Sequence, residues 1–139
     1  MKLVLDTNFF ILHYFSTGEI VVKTKSVLNR CRKIGNKGIV PALVLGELYA
    51  VTTKKAGMVV AAKVCAEVEN SGLYLADMTP QVAKEAGILR ASYQEKLPWG
   101  DCIIAATAIV QGADYVVTED PHFKGIREIK SKALEELML

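Results

Sequence analysis

Short apolar runs that alternate with longer helical patterns restrict the fold of this 139-residue chain more than any other feature. Four such runs read as buried strands, at residues 3–5, 38–41, 73–76 and 115–117. None of them alternates apolar with polar side chains, which is typical of strands in a parallel sheet that helices cover on both faces. The sequence therefore predicts a three-layer α/β/α fold with a short, mostly parallel, doubly wound central sheet.

The segments between the strands predict the helices and their ends. Asn8 is suited to cap a first helix, and Thr79 followed by Pro80 is a strong signal for another helix start. The glycines that follow several segments predict their ends. The helices predicted in this way are Phe9–Phe15, Gly18–Ile34, Val44–Lys55, Met58–Asn70, one that starts at Pro80, Asp101–Gln111 and a terminal helix at Ser131–Leu139. A loop is predicted at Pro98–Gly100, before the helix that starts at Asp101. A fifth strand is predicted at Ile126–Ile129.

Composition limits the class of protein. The residues are 51% hydrophobic and 23% charged, which is ordinary for a globular chain and argues against disordered and fibrous classes. The length suits one domain over residues 1–139. The net charge of +2 is too small for an electrostatic footprint of nucleic acid, so binding of a polyanion would need local clusters of cations or metal ions.

Cysteine usage and hydropathy predict a cytoplasmic protein. The three cysteines lie in apolar or helical contexts, and we expect them to be reduced and mostly buried. The N-terminal apolar run is short and is interrupted by Asp6, so we expect no signal peptide. No stretch reaches the roughly 18 apolar residues that a membrane span needs.

Four acidic residues lie where the predicted elements meet one edge of the sheet. Asp6 directly follows the first strand, and Asp120 lies two residues beyond Thr118 at the end of the fourth strand. Asp101 opens the apolar helix that leads into that strand, and Glu47 is placed in the first turn of the helix after the second strand. Ligands of such sheets bind outside the carboxyl ends of the strands. We therefore expect the four carboxylates to lie close together.

Each acid also has a purely structural explanation. Asp101 is suited to cap its helix, and Glu47 to complement a helix dipole. Asp6 can hold a turn through its side chain, and Asp120 with Pro121 is a common start of a turn. Four carboxylates at one edge would nevertheless repel and raise one another's pKa unless a cation neutralised them. The cluster as a whole therefore predicts a bound metal ion.

The donor types restrict which ion this is. The two histidines, His13 and His122, are far apart and form no pair at zinc-ligand spacing. Oxygen ligands favour Mg²⁺ or Mn²⁺. The chain contains no Gly-x-Ser-x-Gly elbow, Walker A loop or Gly-x-Gly-x-x-Gly fingerprint that would indicate another chemistry.

Three segments that carry these acids resemble the PIN domain family. They are LVLDTNFFIL at residues 3–12, VLGELYA at 44–50 and WGDCIIAATAIVQGADYVVTEDPHF at 99–123. Within the family, the segments are most similar to the single-domain toxins of VapBC-type toxin–antitoxin systems. The resemblance implies a metal-dependent ribonuclease in which Asp6, Glu47, Asp101 and Asp120 take the places of the family's four acids.

The resemblance also implies roles for the neighbouring polar residues. We expect Asp6 and Asp101 to be the closest ligands of the ion, and Glu47 and Asp120 to bind through waters or a second ion. Thr118 takes the place of the family's hydroxyl, and the polar pair after the first acid is Thr7 and Asn8. We expect Thr118 and Asn8 to orient carboxylates or water by hydrogen bonds. The implied partners are an RNA substrate, a second copy of the chain and a small antitoxin.

Other functions remain open at this point. The same fold could serve as an RNA-processing nuclease outside any toxin system, or as an inactive module that binds RNA or protein, although no acid is missing. A phosphatase related to the haloacid dehalogenases would need an aspartate at position 8, where this chain has Asn8. A structural and a catalytic role both remain open for His122. Roles in RNA binding remain open for Trp99 and for the basic residues Lys23, Lys25, Arg30, Arg32, Lys33, Lys54, Lys55, Lys124 and Arg127.

Overall fold

A single five-stranded sheet forms the centre of the computed structural model, which describes residues 1–94 and 96–137. All four strand pairings are parallel, and the strand order is β3-β2-β1-β4-β5. The strands are β1 (Lys2–Leu5), β2 (Lys37–Pro41), β3 (Tyr74–Ala76), β4 (Tyr115–Val117) and β5 (Ser131–Lys132).

Helices connect each strand to the next and pack on one another in sequential pairs. A 3₁₀-helix at Pro121–Gly125 follows β4. The α-helices of the described residues are α1 (Thr7–Phe15), α2 (Glu19–Cys31), α3 (Ala42–Ala56), α4 (Met58–Glu69), α5 (Pro80–Ser92), α6 (Trp99–Gln111) and α7 (Leu134–Leu137).

The strand order reverses between β1 and β4. The chain builds β1, β2 and β3 in one direction and then returns past β1 to form β4 and β5. Because parallel crossovers are right-handed, the two directions place their helices on opposite faces of the sheet. The predicted three-layer, doubly wound α/β/α fold is confirmed, and its switch point lies at the carboxyl ends of β1 and β4.

Strand register sets two polar residues side by side at this switch point. Leu5 of β1 pairs with Val117 of β4, and the Asp6 amide donates to the Val117 carbonyl at 3.1 Å. Asp6 and Thr118 therefore leave neighbouring strands at the same level. Leu3, Val4 and Leu5 are buried in the core, so this end of β1 is firmly anchored.

The helices α1 and α6 begin earlier than predicted. The Asp6 side chain caps α1 by accepting the Thr7 amide at 2.7 Å, so Asp6 and not Asn8 is the N-cap. The helix α6 begins at Trp99, and its N-cap is Pro98, whose backbone is extended with φ −57° and ψ 151°. The predicted loop at Pro98–Gly100 is therefore wrong, and Asp101 does not cap its helix.

The start of α3 changes the position of Glu47. Strand β2 passes directly into α3, whose N-cap is Pro41 and whose first residue is Ala42. The helix therefore begins two residues before the predicted Val44. Glu47 consequently lies in the second turn, and the prediction that it lies in the first turn is wrong.

The largest differences from the predicted elements occur after Cys31 and over residues 126–132, where apolar residues lie outside helices and strands. The strand predicted at Ile126–Ile129 is a turn whose Ile126 is buried in the core, and β5 follows it at Ser131–Lys132. The helix predicted to reach Ile34 ends at Cys31, and Ile34 is exposed. The terminal helix predicted at Ser131–Leu139 is wrong at its start, where Ser131–Lys132 form β5; α7 covers Leu134–Leu137, and residues 138–139 lie outside the described residues.

Cysteine burial agrees with the prediction, since Cys31, Cys65 and Cys102 are all buried and free. Burial raises the pKa of the Cys31 thiol to about 11. Within the described part of the chain, each helix is too short or too polar to cross a membrane.

Candidate active site

Asp6 is the most enclosed of the four acids. The residue is 6% exposed, and its two carboxylate oxygens accept hydrogen bonds from the Thr7 amide and the Thr118 hydroxyl, each at 2.7 Å. Burial raises the pKa of Asp6, the two hydrogen bonds oppose that rise, and the nearby charges of Glu47 and Asp120 add to it. The carboxylate is thus held rigidly in a place where its negative charge is unfavourable without a cation.

The Thr118 hydroxyl connects the elements around Asp6. It donates to Asp6 and accepts from the Asn8 side-chain amide at 3.2 Å and from the Asp120 backbone amide at 3.0 Å. A hydroxyl has one proton, so these contacts determine its orientation. Asn8 in turn accepts the Glu119 amide at 3.1 Å. The hydrogen bonds of Asn8 thus connect it to the carboxylates through Thr118 and the Glu119 backbone.

Glu47 enters the site from α3 and is positioned by two neighbours. Its Oε1 accepts the Thr7 hydroxyl at 2.7 Å, which ties α3 to the start of α1. Its Oε2 lies 3.1 Å from the point that a Cβ at Gly100 would occupy. The absence of a side chain at Gly100 thus leaves room for the Glu47 carboxylate next to the start of α6, one residue before Asp101.

Replacing Gly100 with alanine is expected to lower metal affinity and RNA cleavage about tenfold, as is typical when the support of a metal ligand is disturbed. The added Cβ would push Oε2 of Glu47 away from its present place. We expect unfolding free energy to change by less than about 1 kcal/mol. Thermal unfolding and single-turnover RNA cleavage measure the two effects separately.

The matched control for this substitution is Gly87→Ala, because Gly87 is also helical and a Cβ there meets nothing within 4 Å. This control should keep full cleavage activity. Equal losses in Gly100→Ala and Gly87→Ala, or no loss in either, would contradict the positioning of Glu47 by Gly100.

Asp101 lies in the first turn of α6 and faces the other three acids. Its pKa is raised to about 6, mainly by burial and then by the charges of Asp120, Asp6 and Glu47, while His122 opposes the rise. The causes of the shift are thus burial and neighbouring charges, and in the described part of the chain the Asp101 carboxylate accepts no hydrogen bond that caps α6. Helix capping therefore does not explain this acid, and its carboxylate is available to a ligand.

Asp120 has both a structural contact and a place in the cluster. Its Oδ1 accepts the His122 amide at 2.9 Å, which starts the 3₁₀-helix, and lies 2.7 Å from Nδ1 of the His122 ring. Ligand atoms of Asp101, Asp120 and His122 all lie within 4.8 Å of one another. The sequence interpretation left His122 outside the site, although the Asp-x-His spacing within one turn could have indicated it.

In the described part of the chain, lysine and arginine side chains do not pair with these four acids. In residues 1–94 and 96–137, the ion pairs within 4.0 Å are His122 with Asp120 and Lys124 with Glu136. Some of the basic residues considered for RNA binding have other partners, since Arg30 and Arg32 donate to the carbonyls of Leu137 and Ser71, at 3.3 Å and 2.9 Å. A carboxylate cluster in which the pKa values of Asp6 and Asp101 are raised, and which pairs with no lysine or arginine of the described residues, fits a divalent cation that prefers oxygen ligands.

The chain belongs to the PIN domain family, whose family model matches residues 3–129. This match covers nearly the whole chain and includes all four acids, and it confirms the family that the sequence motifs predicted. No sequence among the curated proteins matches the chain significantly.

Solved structures of toxin–antitoxin proteins share this fold. DNA-bound VapBC from Salmonella typhimurium has a TM-score of 0.79 at 22% identity, covering 96% of this chain and 98% of that one. VapBC2 from Rickettsia felis, bound to a promoter DNA fragment, has a TM-score of 0.75 at 20% identity with the same coverage. VapC20 from Mycobacterium tuberculosis, a toxin that cleaves the sarcin-ricin loop, has a TM-score of 0.72 at 18% identity, covering 91% and 98%.

Proposed function

We propose that this protein, as one nuclease domain over residues 1–139, is an endoribonuclease that depends on Mg²⁺ or Mn²⁺. The observation that carries this proposal is the convergence of Asp6, Glu47, Asp101 and Asp120 from four separate elements, where no lysine or arginine of residues 1–94 and 96–137 pairs with them. The match to the PIN domain family supports a nuclease. Ribonuclease activity is further supported by the neighbour that cleaves the sarcin-ricin loop.

The four acids would hold the ion, with Asp6 and Asp101 as its closest ligands. When bound, a divalent ion offsets the charge of the phosphate, lowers the pKa of the attacking water and stabilises the leaving oxygen. The protein's own contribution is to keep the carboxylates in place. Thr118 and the Thr7 amide hold Asp6, and the Thr7 hydroxyl holds Glu47.

A purified sample tested on end-labelled single-stranded RNA examines this proposal directly. We expect cleavage in Mg²⁺ or Mn²⁺ that EDTA abolishes and that added Mg²⁺ restores. Attack by water needs no 2′-hydroxyl, so the RNA products should carry no 2′,3′-cyclic phosphate. Cleavage that continues undiminished in EDTA, or products that end in cyclic phosphate, would contradict the assigned chemistry.

We further propose that the protein acts in the cytoplasm as the toxin of a toxin–antitoxin pair, as a homodimer that a small antitoxin inhibits. The VapBC structures that share its fold support this proposal. The helices α3 and α4 also expose apolar side chains of the kind that a partner helix would cover, while Phe9 and Phe10 of α1 belong to the core. The exposed residues of α3 and α4 are Tyr49, Val51, Met58, Val59 and Val60.

The alternative is an RNA-processing nuclease, or an inactive module, outside any toxin system. A small antitoxin-like reading frame next to the gene would favour the toxin, and its absence would favour the alternative. An inactive module is disfavoured because the structure brings all four acids together.

A further inference from the structure

We infer that His122 is a direct ligand of the ion at this site and supplies one nitrogen donor to a set of oxygen donors. This inference rests on the proposed function, because it concerns the same metal site. It adds a ligand that the sequence motifs do not assign, and it predicts which ions the site prefers.

Distances within the cluster support a shared ion. Ligand atoms of Asp101, Asp120 and His122 lie within 4.8 Å of one another. Two ligands of one ion, each at about 2.1 Å, are at most about 4.2 Å apart. The three ligand atoms, which lie within 4.8 Å of one another, therefore need to approach by at most about 0.6 Å to share an ion.

The turn at residues 120–122 does not by itself account for this arrangement. It explains why the His122 backbone amide and ring both face Oδ1 of Asp120, at 2.9 Å and 2.7 Å. It does not explain why Asp101, which belongs to α6, places its carboxylate within the same group. The imidazole thus meets acids from two elements that are separate in the chain.

The His122 ring is free to change its contact. Its side chain is 73% exposed, and its polar contact within the described residues is the Asp120 carboxylate. Rotation of this exposed side chain can turn a ring nitrogen towards an ion between Asp101 and Asp120 without disturbing the core. A core histidine held by several partners could not do this.

An imidazole ligand changes the preference of the site. Oxygen ligands alone suit Mg²⁺ and Mn²⁺ alike, whereas imidazole nitrogen binds transition-metal ions more readily than Mg²⁺, with Co²⁺ favoured over Mn²⁺. The wild-type protein should therefore bind Mn²⁺ and Co²⁺ more tightly than Mg²⁺, by a margin that depends on His122.

Metal titration of the wild-type protein and of His122→Gln tests the inference. We expect His122→Gln to weaken Mn²⁺ binding about tenfold or more and Mg²⁺ binding by less than about threefold. In the Mn²⁺-loaded wild-type protein, pulsed electron paramagnetic resonance should detect coupling to a nitrogen nucleus, and this coupling should vanish in His122→Gln.

The chain's other histidine provides the matched control. His13 pairs with the Thr24 hydroxyl at 2.8 Å and lies outside the acid cluster. His13→Gln should therefore keep both the nitrogen coupling and the preference for Mn²⁺. Circular dichroism checks that each variant is folded.

Two results would overturn the inference. One is a Mn²⁺-loaded wild-type protein without nitrogen coupling, and the other is an equal loss of Mn²⁺ and Mg²⁺ affinity in His122→Gln, which would mean that His122 only orients Asp120. If either result occurs while the wild-type protein still cleaves RNA in Mg²⁺, the proposed function stands. A wild-type protein that binds neither ion and cleaves no RNA would instead refute the proposed function.

Discussion

Replacing Asp101 with asparagine is expected to lower the rate of RNA cleavage by about 10³-fold, or roughly 4 kcal/mol of activation free energy. Asparagine has nearly the same shape but lacks the charge that binds an ion. The Asp101 carboxylate is the clearest target because burial and neighbouring charges cause its pKa shift and Pro98, not Asp101, is the N-cap of its helix. Single-turnover cleavage in Mg²⁺ measures the effect.

The same substitution is expected to stabilise the metal-free protein at neutral pH. The folded-state pKa of Asp101 is about 6, above the usual 3.8, so folding disfavours the charged carboxylate. Its contribution to stability is fully present below pH 3.8 and is lost as the pH rises through about 6. Asparagine does not ionise, so the Asp101→Asn variant does not lose this stability as the pH rises. Thermal unfolding in EDTA should therefore show a higher midpoint for the variant at pH 7.5, and a smaller difference at pH 4.

Asp77 provides a matched control for Asp101→Asn. It directly follows β3, as Asp6 follows β1, but it is exposed and is not among the charges that shift the pKa values of Asp6 and Asp101. Asp77→Asn should keep both cleavage and stability. Full cleavage by Asp101→Asn, or a comparable loss in Asp77→Asn, would show that the site is assigned incorrectly.

Replacing Thr118 with valine is expected to reduce metal affinity and cleavage by about 10- to 100-fold. Valine keeps the shape of threonine but loses the hydroxyl that contacts Asp6, Asn8 and the Asp120 amide. Asp6 would then lose a partner for one buried oxygen. We expect the free energy of unfolding to fall by about 1–3 kcal/mol, the usual penalty for buried polar groups without partners.

Two further variants separate the role of the Thr118 hydroxyl from that of packing. Thr118→Ser retains the hydroxyl and should recover most of the metal affinity. Thr107→Val removes a buried hydroxyl that donates within α6 to the Ile103 carbonyl at 2.8 Å, and should leave cleavage unchanged. Equal metal affinity in Thr118→Val and the wild-type protein would contradict the account of Asp6 positioning.

Sequence patterns predicted the sheet and its acidic edge well because both follow from chain periodicity. Strand β4 lies at the predicted residues, and Asp6 follows β1 as expected. In a parallel sheet, residues that leave strands at their carboxyl ends meet at one edge, so Asp6 and Thr118 could be placed together before their contact was known. The pairing of Leu5 with Val117 then determines that contact.

Contacts between distant elements could not be predicted in this way. The fit of Glu47 against Gly100 depends on how α3 and α6 approach each other, which no local pattern records. In the sequence, Gly100 and Asp101 before the apolar run favoured a loop that ends at a helix cap. The helix α6 instead begins at Trp99, directly after Pro98. The place of His122 beside Asp101 likewise depends on the fold of the turn after β4.

Binding of Mn²⁺ to the wild-type protein and to Asp101→Asn, measured side by side by equilibrium titration, tests the central claim most directly. The four-carboxylate site predicts that the wild-type protein binds the ion and that Asp101→Asn binds it at least about tenfold more weakly while remaining folded. Equal Mn²⁺ affinity in the two proteins, or no binding by the wild-type protein, would contradict the claim that these acids form a metal site.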